Sequence, residues 1–75
     1  MTIEDLQQFC LHTRLKKGIL QREIEQNTGV TDTTLSRWEN GKGGIRLDTL
    51  MLILHELGYK LEVVTDGSME SNSGI

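Results

Sequence analysis

Residues 21–40, QREIEQNTGVTDTTLSRWEN, constrain this chain more than any other stretch. Ile24 opens an apolar pattern that Val30, Leu35 and Trp38 continue. Gly29 falls where a first short helix must stop, because glycine takes a left-handed backbone at no steric cost. Thr31 or Asp32 then caps a second helix, since either side-chain oxygen accepts a free amide hydrogen of the first turn. The stretch therefore predicts two short helices joined by a tight turn.

The second helix has two unlike faces. At roughly 100° per residue, Trp38 falls on the side of Leu35, and Thr33, Ser36, Arg37 and Asn40 gather on the opposite side. One side is suited to packing. The other offers short hydrogen-bonding groups and an arginine that forks onto a guanine or a phosphate. Two helices joined through about three or four residues with a glycine in the turn make a helix-turn-helix plan. Gly29-Val30-Thr31, followed by Ser36-Arg37-Trp38-Glu39-Asn40-Gly41, makes the match specific. Over roughly residues 6–58 the chain resembles the lambda-repressor/Cro family of DNA-binding domains, also called the Xre family.

The resemblance implies that Gln21 contacts a DNA phosphate from the start of its helix. It also implies that Arg14 and Glu39 form a buried or half-buried salt bridge. The face analysis supports the second point. Glu39 lies only about 40° from Leu35 on the inward side, and a carboxylate there needs a partner. Two departures fall between the helices: Glu25 and Thr28 stand where the family usually has alanine and leucine. Ile45 and Arg46 stand where it often has proline and serine.

Elsewhere the chain reads simply. Thr2 and Asp5 have capping-box spacing, and Ile3, Leu6, Phe9, Cys10 and Thr13 form one packing stripe of a first helix. Gly18 ends it after Arg14, Lys16 and Lys17, whose charges suit the negative end of a helix or a phosphate. Asn40 and Lys42 belong to a glycine-rich loop within reach of phosphates. A helix over 47–57 places Leu47, Leu50, Met51, Ile53, Leu54 and Leu57 on a wide apolar face. Leu52 falls on its other side, as a stray surface leucine or part of a contact with a partner or a second subunit. Residues 59–64, YKLEVV, alternate as a strand, with Tyr59, Leu61 and Val63 on one face that can lie over the apolar helix at 47–57. A lone strand needs a partner edge, which a second copy supplies. Antitoxins resembling HipB carry a strand here. Residues 65–75 read as a disordered polar tail.

The formal net charge of −3 argues against nucleic acid until it is mapped. Residues 13–46 hold seven basic and four acidic residues, so the positive charge is local. No apolar run spans a membrane, no secretory signal opens the chain, and the single Cys10 has no disulfide partner. The expected location is cytoplasmic. Cys10 and His12 lack a second ligand pair for zinc. No carboxylate pair or nucleophile–base set points to an enzyme, and no cofactor is expected.

The expected fold is all-α: a compact four- to five-helix lambda-repressor-like domain over 1–58, with one short C-terminal β-strand over 59–64. The expected function is a homodimeric repressor that binds an inverted-repeat site in double-stranded DNA. Gln21, Arg22, Thr31, Asp32, Thr33, Ser36, Arg37, Asn40 and Lys42 form the DNA-binding set. Asp32 either accepts from a cytosine or only favours the helix start. Leu52, Tyr59, Leu61 and Val63 form the dimerisation set. Small size and the added strand favour an autoregulating antitoxin with a toxin partner over a free-standing phage-type repressor. A protein-interaction module without DNA binding has only the acidic charge in its favour.

Overall fold

Thr2 starts the first helix. In the computed structural model, which describes residues 1–65, its hydroxyl accepts from the Asp5 amide at 3.0 Å. The Asp5 carboxylate accepts in return from the Thr2 amide at 2.9 Å. The Thr2 amide, and after it the Thr2 hydroxyl, hold the Asp5 carboxyl below its ordinary value. The helix that follows, α1 (Ile3–Lys17), is unbroken, so the chain has four helices and not five among the described residues. Then come α2 (Gln21–Thr28), α3 (Asp32–Glu39) and α4 (Leu47–Glu56). The expected tail lies outside the described residues, except for Thr65.

The turn between α2 and α3 is built from side chains as well as backbone. Gly29 ends α2 at φ 82°, a conformation a side chain would strain. The Thr31 hydroxyl accepts from the Thr34 amide at 3.2 Å, so Thr31, and not Asp32, caps α3. The two departures from the family pattern serve this turn. Thr28 donates its hydroxyl hydrogen to the Ile24 carbonyl at 2.6 Å and accepts from the Val30 amide at 3.0 Å. Glu25 accepts from the Asp32 amide at 3.3 Å, at the first residue of α3.

Ile24, fully buried, sits where α2 packs on both α3 and α4, while α1 packs on α3. Cys10, Val30, Leu35, Trp38, Leu50, Ile53, Leu54 and Leu57 complete the core, and Leu6, Phe9, Ile19 and Ile45 pack against it. Each large apolar side chain buried this way contributes about 1.5–3 kcal/mol. The expected apolar faces were drawn too wide. Ile3 is exposed in the first turn of α1, and Leu47 and Met51 are exposed on α4. The covering helix reaches only the stripe through Leu50, Ile53, Leu54 and Leu57.

Beyond α4 the chain folds back on α1. The Lys17 ammonium donates to the Leu57 carbonyl at 2.7 Å. Gly58 takes φ 91°, a conformation that a side chain would strain, and a Cβ there would lie 3.2 Å from that ammonium nitrogen. The Tyr59 ring meets Phe9 edge-on, with centroids 5.0 Å apart, and Lys17 lies 5.4 Å from the Tyr59 centroid. Tyr59 thus sits on α1, not over α4 as its alternation suggested. Residues 59–64 carry no strand pairing among the described residues, since a ladder needs a second edge. Leu61, Val63 and Val64 are exposed.

Candidate DNA-binding surface

Glu39 anchors the end of α3. It is 7% exposed, and its two oxygens receive the Arg14 guanidinium side-on: Nε to Oε2 at 2.6 Å, Nη2 to Oε1 at 2.9 Å. Two parallel bonds of this kind hold geometry as well as charge. The third bond of Arg14, from Nη1 to the Ile19 carbonyl at 2.8 Å, ties the pair to the α1–α2 loop. Gln21 completes the set by donating from Nε2 to Glu39 Oε1 at 2.9 Å. One amide hydrogen of Gln21 is thereby used inside the protein. The second remains for an outside acceptor.

Around this anchor the start of α2 and the exposed side of α3 form a continuous groove. Gln21, Asp32, Thr33, Ser36 and Arg37 line one part, and Arg22, Glu25 and Asp32 line the part beside it. The structure therefore brings together six of the nine residues assigned to DNA: Gln21, Arg22, Asp32, Thr33, Ser36 and Arg37. The other three are differently engaged. Thr31 is exposed but spends its hydroxyl on capping, also donating to Thr34 Oγ1 at 3.0 Å. Asn40 folds back, its amide donating to the Ser36 carbonyl at 2.9 Å. Lys42 lies in the loop after α3, and its carbonyl accepts from Arg37 Nη2 at 3.2 Å. That bond leans the Arg37 head towards the loop while the side chain stays exposed.

The basic surface is smaller than the charge map suggests. Arg14 is withdrawn into its pair, Lys17 is held over Tyr59, and Arg46 pairs with Asp48 at 3.2 Å in the open. Arg22, Arg37 and Lys42 remain on the side of the groove, with Asp32 and Glu25 among them. Such a mixed surface weakens indiscriminate attraction to phosphates and leaves more of the affinity to fitted contacts.

Two residues behind the site complete it. Cys10 is buried in the core. Burial, followed by the nearby Glu39 carboxylate, pushes its thiol up to about 11. Gln7 on α1 is also buried, and its amide donates to the Trp38 and Glu39 carbonyls at 2.7 and 3.0 Å. Sequence reasoning missed Gln7. Its signal was spacing: residues 7, 10 and 14 share one helical face, so a polar side chain stood on the packing stripe. The described residues hold no cluster of three or more potential metal ligands, and no helix among them is long and apolar enough to cross a membrane.

A family model described as helix-turn-helix matches residues 13–64. No curated protein and no solved structure gives a significant match to the chain. The matched range runs from the last turn of α1 through the segment after α4 and contains the whole groove. The chain belongs to the helix-turn-helix family of Xre/lambda-repressor type, a family of DNA-binding transcription regulators.

Proposed function

We propose that this protein is a sequence-specific repressor that binds double-stranded DNA as a homodimer and covers its own promoter as the antitoxin of a toxin-antitoxin operon. The observation that carries DNA reading is the exposed polar side of α3 backed by a buried network. Thr33, Ser36 and Arg37 face outward, while Arg14, Gln21 and Gln7 hold the same helix from behind. A rigid element with a hydrogen-bonding face is what base readout in the major groove needs. On this reading Arg22, Gln21 and Lys42 meet phosphates and supply register, and α3 supplies preference.

Support for the dimer and the antitoxin role comes from the end of the chain. Leu61, Val63 and Val64 are exposed on a segment with no strand pairing among the described residues, and Leu52 and Met51 of α4 are exposed as well. Such apolar surface on a small domain marks a partner site. A twofold dimer would present two copies of α3 about 34–36 Å apart and read an inverted repeat.

Selection of bound duplexes from a random pool tests the DNA reading. An inverted repeat should emerge, and Arg37→Ala should relax preference at one base pair of each half. A pool that stays random would refute it. Co-purification with a stoichiometric second protein tests the antitoxin role, and its absence would leave a free-standing repressor.

A further inference from the structure

The C-terminal end of α3 is gripped by a residue that precedes the matched range. Gln7 is 9% exposed and donates to two backbone carbonyls, those of Trp38 and Glu39. The last carbonyls of a helix have no partner within it, so a side chain from another helix can claim them. The following loop passes against the same amide. A Cβ on Gly41 would lie 3.5 Å from Gln7 Nε2, and the Gly41 amide itself donates to the Trp38 carbonyl at 3.0 Å. One side chain thus meets both the end of α3 and the start of the loop carrying Lys42. Arg14 and Gln21 act differently, because they hold the Glu39 side chain, which has rotamers of its own. Bonds to backbone carbonyls fix the helix along its axis.

We propose that Gln7 is a positioning residue for DNA reading: it sets where α3 stops, and so which base pairs its polar side meets. The inference rests on the reading of α3 as the DNA-contacting helix. Its consequence is selective. A base contact needs heavy atoms within a few tenths of an ångström of its distance, and a slide of about 1 Å breaks it. Attraction to phosphates falls off over the Debye length, about 8–10 Å, and hardly changes. Loss of Gln7 should therefore cost preference more than affinity for DNA at large.

Gln7→Met keeps the length of the side chain and removes its donors. Gln7→Lys keeps donors and suits the negative end of α3. Binding of each full-length chain is measured by fluorescence anisotropy under conditions where it is folded. One probe is a duplex selected from a random pool by the unaltered chain, the other a scrambled duplex of equal length. Gln7→Met should lose about tenfold on the selected duplex and at most about twofold on the scrambled one, and Gln7→Lys should recover most of the loss. Equal losses on both probes would reduce Gln7 to a support of the fold and overturn the proposal. So would an unchanged ratio. If Gln7→Met does not fold, Gln7→Asn, too short to reach both carbonyls, gives the same comparison. If the unaltered chain itself shows no preference, the reading of α3 falls and takes this inference with it.

Discussion

Removing either member of the Arg14–Glu39 pair should threaten the whole fold. Arg14→Ala leaves the Glu39 carboxylate, 7% exposed, with the Gln21 amide as its remaining side-chain donor. A buried charge stripped of its partner costs about 3–5 kcal/mol. The Ile19 carbonyl also loses its bond from Arg14 Nη1, worth about 1 kcal/mol. Glu39→Ala leaves Arg14 with that one bond and frees the Gln21 amide. The long guanidinium stem can tilt towards water, so this cost should fall near about 3 kcal/mol. The double variant removes both charges and should fall short of the sum by roughly 2 kcal/mol. A domain this small has a total of only about 5 kcal/mol or slightly more. Urea titrations therefore belong at low temperature, with Glu39→Gln as a milder partner in the cycle. A coupling within about 0.5 kcal/mol of zero would mean that the two groups are solvated independently, and the reasoning from their geometry would be wrong.

Cys10 predicts a loss of stability in alkali. Its folded thiol titrates near 11 against an ordinary value of 9.0. A raised folded pKa means full stability below pH 9, a decline as the unfolded thiol ionises first, and a plateau above 11. The drop should approach about 2–3 kcal/mol and be missing in Cys10→Ala, which separates it from lysine and tyrosine titration; parallel pH profiles of the two chains would rule it out. Gly58→Ala should cost about 1 kcal/mol or more, from the φ of 91° that an alanine would strain, and a melting temperature matching the unaltered chain would contradict this. A chain cut after Gly58 should sediment as a monomer, whereas one cut after Val64 should stay dimeric. A dimer that survives the first cut would move the interface to α4 around Leu52.

What could be read in advance depended on how local each cause was. The α2–α3 turn was legible because Gly29 and Thr31 act within a few residues of where they stand. Glu39 was legible because a charge on an inward helical face is costly without a partner. The extent of the apolar faces was not. Leu47 and Met51 look as buried as Leu50 by spacing, and only the reach of α2 across α4 decides between them. Tyr59 was assigned to α4 by alternation, but Phe9 and Lys17, more than forty residues away, offer it a ring edge and a cation. Gln7 escaped notice because its partners are backbone carbonyls, which no residue type announces. The six expected residues that line the groove could be placed in advance, since all six come from the starts of α2 and α3 or from the outward side fixed by Leu35 and Trp38. The fold-back of Asn40 was not legible, because nothing in the residue order says that its short amide finds the Ser36 carbonyl of its own helix.

The central claim is that the exposed side of α3 and the start of α2 meet DNA. Amide chemical shifts of the isotope-labelled chain, followed while a selected duplex is added, test it most directly. The largest changes should fall at Gln21 and Arg22, across residues 32–37, and in the loop at 40–43, with Ile53 and Leu54 in the core of α4 nearly still. Changes confined to α4 and residues 59–64, with α3 unmoved, would contradict the claim and make this polar face an ordinary solvated surface.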